Sequence, residues 1–498
     1  MERHIRKSEK KRILFLSAAL FCIFFVFFTN VHRIGIFDAD DWTYIGFARD
    51  ALPDANAWNP TRVFPEIFMP TVGTIAAFVI TPIVGDYLNA VTFTTAAAVS
   101  ICVSCYIVFF ALSIRRSFQL KWGQTLVISL LFLVAHFWVF RTKLEGNSYL
   151  FLARNLTCYF YYTVPTLLCS ILVLFFEMEP YAWRKFAPAK KGLLYLTIYF
   201  ALYSNLFSSI VLVAYSGVVL LQNAIRSVFR RERIFNAINK TSVHLVIIVV
   251  WLFSLVFELQ GGRASSVGTD GQMPDFVSSA KNLINVFKNV NWYFVLFAVL
   301  TCCTAFFIVF LDIKHDKTKQ VVDFINKEFR FLMSAVITAI YQILLCGVTS
   351  LSGYLNCADV QVSIFFFIFA FIFHAAGYVV KRFPAMETIL PIVLCIAVFN
   401  CNTMGQTYLD GNLSMTSQES AIAITRYAYD SIIEADKEHI QELNLHMPMY
   451  PSSQDNWPLS NYYGERMSRT LYEHGQISQN IKVNIIIDET LNHLYGLN

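Results

Sequence analysis

Three carboxylates fall within four residues, Asp38-Ala39-Asp40-Asp41, a few positions beyond an apolar run from Ile13 to Thr29. They open a polar, aromatic stretch that reads Phe37-Asp-Ala-Asp-Asp-Trp-Thr-Tyr44. At the mouth of a membrane helix such a cluster is costly if buried and unpaired. The chemistry open to a carboxylate of this cluster is that of a general base acting on a sugar hydroxyl. An Asp-x-Asp pair also suits a hard divalent cation, Mg²⁺ or Mn²⁺, which Asp38 and Asp40 would hold. A solvated acidic turn capping a helix would use the same residues.

Cations and further acids lie on the same side of the predicted membrane. Arg62 follows Trp58-Asn59-Pro60, and Glu66 closes the same loop. Lys143 and Arg154 flank the next segment on that side, and Arg263 follows Gly261-Gly262 just past Glu258. Arginine suits phosphate because its planar fork donates paired, charge-assisted hydrogen bonds. Asp38, Arg62, Glu66, Lys143, Arg154, Glu258 and Arg263 are therefore the candidate substrate-binding set. Headgroup contacts and salt bridges to the loop acids would employ the same side chains. Asn205 reads as turn chemistry, and His136, His244 and His374 as interhelical hydrogen-bond partners.

The elements that must position these groups follow from composition. Hydrophobic residues make up 56% of the 498 positions and charged residues 15%, against about 25% charge in soluble domains. Apolar spans are predicted near 13–29, 88–114, 124–140, 162–177, 192–205, 207–223, 241–258, 292–311, 331–350, 361–379 and 385–400. That is about eleven transmembrane helices, each close to the length that crosses a bilayer. With the N-terminus in the cytoplasm, most Lys and Arg fall in cytoplasmic connectors, as the positive-inside rule asks. Arg115-Arg116 and Arg230-Arg231-Glu232-Arg233 then read as topological anchors rather than nucleic-acid patches. Residues 67–84 are apolar enough to span. Counting them would move the Arg115 cluster outside, so they are expected to lie on or dip into the outer face. The first outer loop, 30–87, is the longest.

Residues 1–400 thus form an all-α polytopic membrane domain, and 401–498 a small α/β extracytoplasmic module. Thr416-Ser417-Gln418-Glu419 has a capping-box pattern ahead of Ala421, Ile424, Ala428 and Ile432 at helical spacing. Pro448 and Pro451 should break that helix, a second helix should run from about Leu459 to His474 and stop at Gly475, and Lys482–Ile487 should be a strand. Trp457 reads as a core residue, and the sequons Asn155-Leu-Thr157 and Asn412-Leu-Ser414 fall outside. No Gly-x-Gly-x-x-Gly or Walker loop suggests nucleotide handling. The eleven cysteines show no metal-ligand spacing.

One span, a long first outer loop beginning with the paired acids of Asp38-Ala-Asp40-Asp41, a surface-lying helix, about eleven spans and an outer C-terminal module together resemble the GT-C class of integral-membrane glycosyltransferases. Within it the chain looks most like bacterial O-antigen glucosyltransferase-type enzymes. The motif match is confined to the three loop acids and, loosely, Arg62. The resemblance implies a polyprenyl-phosphate-linked sugar as donor and a cell-surface glycan or lipid-linked acceptor. It implies inverting transfer on the outer face of the plasma membrane, with Asp40 or Asp41 as base. A polysaccharide polymerase or ligase, and a flippase or transporter, are the alternative classes; nucleic acid is not an expected partner.

Overall fold

A computed structural model describes residues 2–49, 61–140, 149–151, 153, 155–231, 239–260, 273–314, 318–349, 351–383, 385–403, 418–448 and 462–497. The chain opens with α1 (Glu9–Val31), the short loop helix α2 (Ala39–Gly46), α3 (Pro65–Val84) and α4 (Tyr87–Phe118). There follow α5 (Trp122–Trp138), α6 (Leu156–Met178), α7 (Pro188–Leu202), α8 (Leu206–Phe229) and α9 (Ser242–Gln260). The surface helix α10 (Phe276–Lys288) leads to α11 (Trp292–Lys314), α12 (Thr318–Val348), α13 (Ala358–Arg382) and α14 (Met386–Thr403). The tail carries α15 (Gln418–Lys437), β1 (Glu442–Met447), α16 (Tyr463–Glu473) and β2 (Lys482–Ile487).

Among the described residues, nine helices are long and apolar enough to cross a membrane: α1, α3, α4, α6, α8, α9, α11, α12 and α13. This is consistent with a multi-pass membrane protein, and the expected count of about eleven spans is not confirmed. Segment 192–205 becomes α7, whose 15 residues at about 1.5 Å each fall short of a bilayer core of about 30 Å. Segments 124–140 and 385–400 become the shorter apolar helices Trp122–Trp138 and Met386–Cys401.

Residues 67–84 belong to a continuous helix of 20 residues despite three prolines. Pro65 occupies the first turn, where its missing N–H costs nothing. Pro70 has no N–H for the Glu66 carbonyl, and the backbone N–H of Arg49 takes that carbonyl at 3.3 Å. A π-helical turn at Ala76–Ile80 precedes Pro82, and Gly85, at φ 76°, ends the helix.

Polar caps set several helix starts. Asp86 accepts from Asn89 N at 2.7 Å, and Asn205 from Phe207 N at 2.8 Å. At the basic end of the bundle, Arg115 pairs with Glu9, Arg116 with Glu179, and Lys121 with Glu387 at 3.2 Å. The three span histidines each face a neighbouring helix: His136 sits 3.3 Å from Tyr106 Oη, His244 3.0 Å from Ser216 Oγ, and His374 2.7 Å from Glu328 Oε1.

The tail helix predicted to run to Pro448 stops at Lys437. His439 takes a left-handed φ of 57°, and Ile440 N donates back to Ala435 O, closing the helix before β1 begins. Strand β2 forms as predicted and pairs parallel with β1, Glu442 opposite Lys482 through Met447 opposite Ile487. Helix α16 links the strands and ends at Gly475, φ 64°. The buried core runs without a break from the bundle through Trp42 and Ile45 into Tyr463, Met467 and Leu471 of the tail. Thr416, Ser417, the Asn412 sequon and Trp457 lie outside the described residues.

Candidate functional site

The three loop acids take three different positions. Asp38 is the N-cap of α2, accepting from Asp40 N at 3.1 Å and from Asn155 Nδ2 at 3.1 Å. Asp41, in the first turn, turns back into the protein and is fully buried. Its Oδ2 accepts from Phe37 N (3.0 Å) and Asp38 N (3.2 Å), and its Oδ1 from Thr157 N and Thr157 Oγ1, both at 2.7 Å. Asp40, between them, is exposed, with no hydrogen-bond or ion-pair partner for its carboxylate among the described residues.

Burial, aided by the neighbouring Asp38 charge, pushes the Asp41 pKa up to about 7, while the hydrogen bonds from Thr157 and Phe37 favour the carboxylate. Asn155 and Thr157, noted in sequence only as a sequon, are the groups that lock the acidic turn onto the start of α6. Asn155 also caps that helix, accepting from Cys158 N at 2.9 Å.

Helical spacing places Thr43, Tyr44 and Phe47 three, four and seven residues after Asp40, on its face of α2. These three residues form one wall of a cleft of about 310 Å³. Arg49 and Glu66 form its floor, and Arg466, Arg469, Thr470 and Glu473 of α16 its second wall. The two walls are held close. Thr470 Oγ1 donates to the Trp42 carbonyl, and a Cβ built on Gly46 would sit 2.3 Å from Thr470 Oγ1. A Cβ built on Gly73 of α3 would likewise sit 2.6 Å from the Ile45 carbonyl oxygen. Behind them Trp42 stacks near Tyr87, Tyr87 stacks on Tyr429, and the Tyr87 hydroxyl meets His474 Nδ1 at 2.7 Å. Arg426 clamps Asp86 through both Nη atoms, at 2.6 and 2.9 Å.

Most charges lining the cleft satisfy one another. Arg49 Nη1 binds Glu66 Oε2 at 3.1 Å and the Thr61 carbonyl at 3.0 Å, and Tyr161 donates to Glu66 at 3.3 Å. Arg469, over the Phe47 ring, pairs with Glu473 at 3.0 Å. Arg466 is exposed, with its guanidinium 5.9 Å from the centroid of the Tyr462 ring. Among the described residues it is the one cleft-lining charge without an ionic partner.

Comparison with protein-family models, with curated proteins and with solved structures finds no match to this chain.

The remaining predicted residues divide. Arg62 and Glu258 meet each other at 3.8 Å, about a third exposed. Arg62 is pinned in a left-handed turn, φ 60°, by its N–H to the Ser204 carbonyl at 2.7 Å. Lys143, Arg154 and Arg263 lie outside the described residues. No group of three or more His, Cys, Asp or Glu side chains converges as a metal site among the described residues. Asp38, the expected partner of Asp40 in holding a cation, faces Asn155 and the α2 N-terminus instead. The residues that sequence reading missed are Arg466, Arg469 and Glu473. Their i, i+3, i+7 spacing marks a charged helix face, but nothing in it points to a partner more than 400 positions upstream.

Proposed function

We propose that the chain transfers a sugar from a polyprenyl-phosphate donor to a hydroxyl of a cell-surface glycan or lipid-linked acceptor, at the cleft between α2 and α16. One observation carries this reading. Among the described residues, Arg466 is the cleft-lining charge without an ionic partner, and Asp40, outside the lining but on the helix that forms the first wall, is a carboxylate without one; the two have opposite signs. That is the pair such a transfer needs: a base to take the acceptor proton, and a cation to meet the charge growing on the leaving phosphate. The apolar helices suit the membrane setting a lipid donor requires, and the basic connectors at the far end, which the positive-inside rule assigns to the cytoplasm, support a cleft on the outer face.

In this reading Asp40 is the base. Asp41 is the anchor that sets it, because its lone pairs already receive four donors. Arg49 and Glu66 fix the cleft floor, and the Arg62–Glu258 pair stands ready to open toward substrate. The donor class follows from the resemblance of architecture and loop acids to GT-C enzymes. Purified protein in lipid discs, given polyprenyl-phosphate hexoses and a glycan acceptor, should release polyprenyl phosphate. Asp40→Asn should slow this by about 10²–10⁴-fold at an unchanged Tm. Arg466→Ala should lower donor kcat/KM by about 10- to 100-fold, with only partial rescue by lysine. Normal turnover in Asp40→Asn, or none by the wild type with any such donor, refutes the reading.

A further inference from the structure

The basic end of the bundle holds a second polar centre that sugar transfer does not use. Three carboxylates are buried there, Glu177 of α6, Asp312 of α11 and Glu328 of α12. Two are well compensated. Glu177 is gripped by Arg330 through Nε and through Nη2, the latter at 2.9 Å, with Tyr215 Oη at 3.0 Å and Lys327 Nζ at 3.7 Å. Asp312 receives Arg382 and, at 2.7 Å, the Tyr378 hydroxyl.

Among the described residues, Glu328 has one partner, His374 Nδ1 of α13, at 2.7 Å. The other carboxyl oxygen, Oε2, and the other ring nitrogen, Nε2, are both buried without a hydrogen-bond partner among the described residues. Aromatic rings enclose the pair. Phe118 of α4 lies 4.6 Å from the imidazole centroid, Phe324 stacks on it at 5.4 Å, and Phe331 meets it edge-on at 5.9 Å. The ionisable groups around it offer no spare cation. Lys327 is turned to Ser117 Oγ (2.9 Å) and Glu177, and Arg330 to Glu177 and Gln222. Glu177 is a like charge, and Cys302 faces the carboxyl from α11.

We propose that Glu328 and His374 form a proton-binding site inside the bundle, with the proton resting on the Glu328 carboxyl and shared toward His374 Nδ1. An imidazolium–carboxylate pair here would bury two charges, each with an unmet atom, in an apolar box, and such desolvation costs several kcal/mol per ion. A carboxylic acid bonded to a neutral imidazole buries no net charge on either partner. Two such coupled groups bind and release the proton as a unit. The site needs no partner from the cleft end and does not rest on the transferase reading.

Infrared difference spectroscopy of the full-length protein in lipid reads the proton directly. The wild type should show a protonated-carboxyl C=O band that shifts in deuterium oxide, disappears reversibly at alkaline pH, and is missing from Glu328→Gln. If Glu328→Gln does not accumulate, His374→Phe keeps the carboxyl and removes its acceptor, so the band should move to higher frequency. No carboxyl band removed by the first variant and none moved by the second, or a band that neither exchanges nor titrates, overturns the proposal.

Discussion

Asp40 and Asp41 are adjacent in sequence and opposite in environment. Asp41→Ala would strand Thr157 N–H, Phe37 N–H and Asp38 N–H beside a void, and each buried unsatisfied donor costs about 1–3 kcal/mol. We expect Asp41→Ala to lower Tm sharply and to lose activity in proportion to folded protein, while Asp40→Asn loses activity alone; equal Tm values for the two variants would contradict these assignments. His474 adds a pH signature. Burial lowers its pKa from 6.5 to about 4, so the fold favours the neutral ring. Its stabilisation is therefore whole above about 6.5 and is lost as the pH falls toward 4. Asp41, held up at about 7, works the other way: its contribution is complete below its ordinary 3.8 and is lost as the pH rises through 7. Buried His32 shares the direction of His474. Comparing Tm against pH for the wild type and His474→Gln cancels Asp41 and His32. The wild type should lose more stability between pH 6.5 and 4, and parallel curves would show that His474 contributes no titration. The acidic turn was visible in sequence as a candidate site, but which acid faces water was not, since Thr157 lies 116 positions away.

At the scale of elements, the cleft depends on how closely α2 approaches α16 and α3. Glycine at 46 and 73 permits that approach, because any Cβ would strike Thr470 or the Ile45 carbonyl. Gly46→Ala should prise α16 from α2. Hydrogen exchange should then rise across residues 463–473 and transfer should fall, with the helices of the bundle still protected; unchanged exchange in α16 would mean the contact is soft. Sequence periodicity located α16 to within a few residues and β2 to its limits. It missed β1, because a left-handed histidine can end a helix where no glycine or proline signals it. The helix expected across 67–84 forms despite its prolines: Pro65 sits in the first turn, and the Arg49 N–H takes the carbonyl that Pro70 leaves free.

For the whole molecule, orientation is the claim to test. Basic connectors gather at the end of the bundle away from the cleft, where Arg115, Arg116 and Lys121 pair with Glu9, Glu179 and Glu387. Alkaline phosphatase, active only outside, should be active when fused at residue 498 and inactive when fused after Lys121. The reverse pattern would turn the protein over and move the cleft to the cytoplasm.

By itself the sequence determined the suited solvent: apolar runs of this length are long enough to cross a bilayer, where a helix satisfies its own backbone polar groups. It also determined where polar loops begin and that the tail folds, since local spacing and caps carry that information. Only the tertiary structure decided which charges remain free. Among the described residues Arg466 is unpaired because Glu473 is taken by Arg469 and Glu66 by Arg49, and Glu328 is left with a histidine because both neighbouring cations on its own helix turn to Glu177. Pairing is a competition among groups brought together from distant parts of the chain, and the strength of each pairing depends on burial that no local pattern encodes.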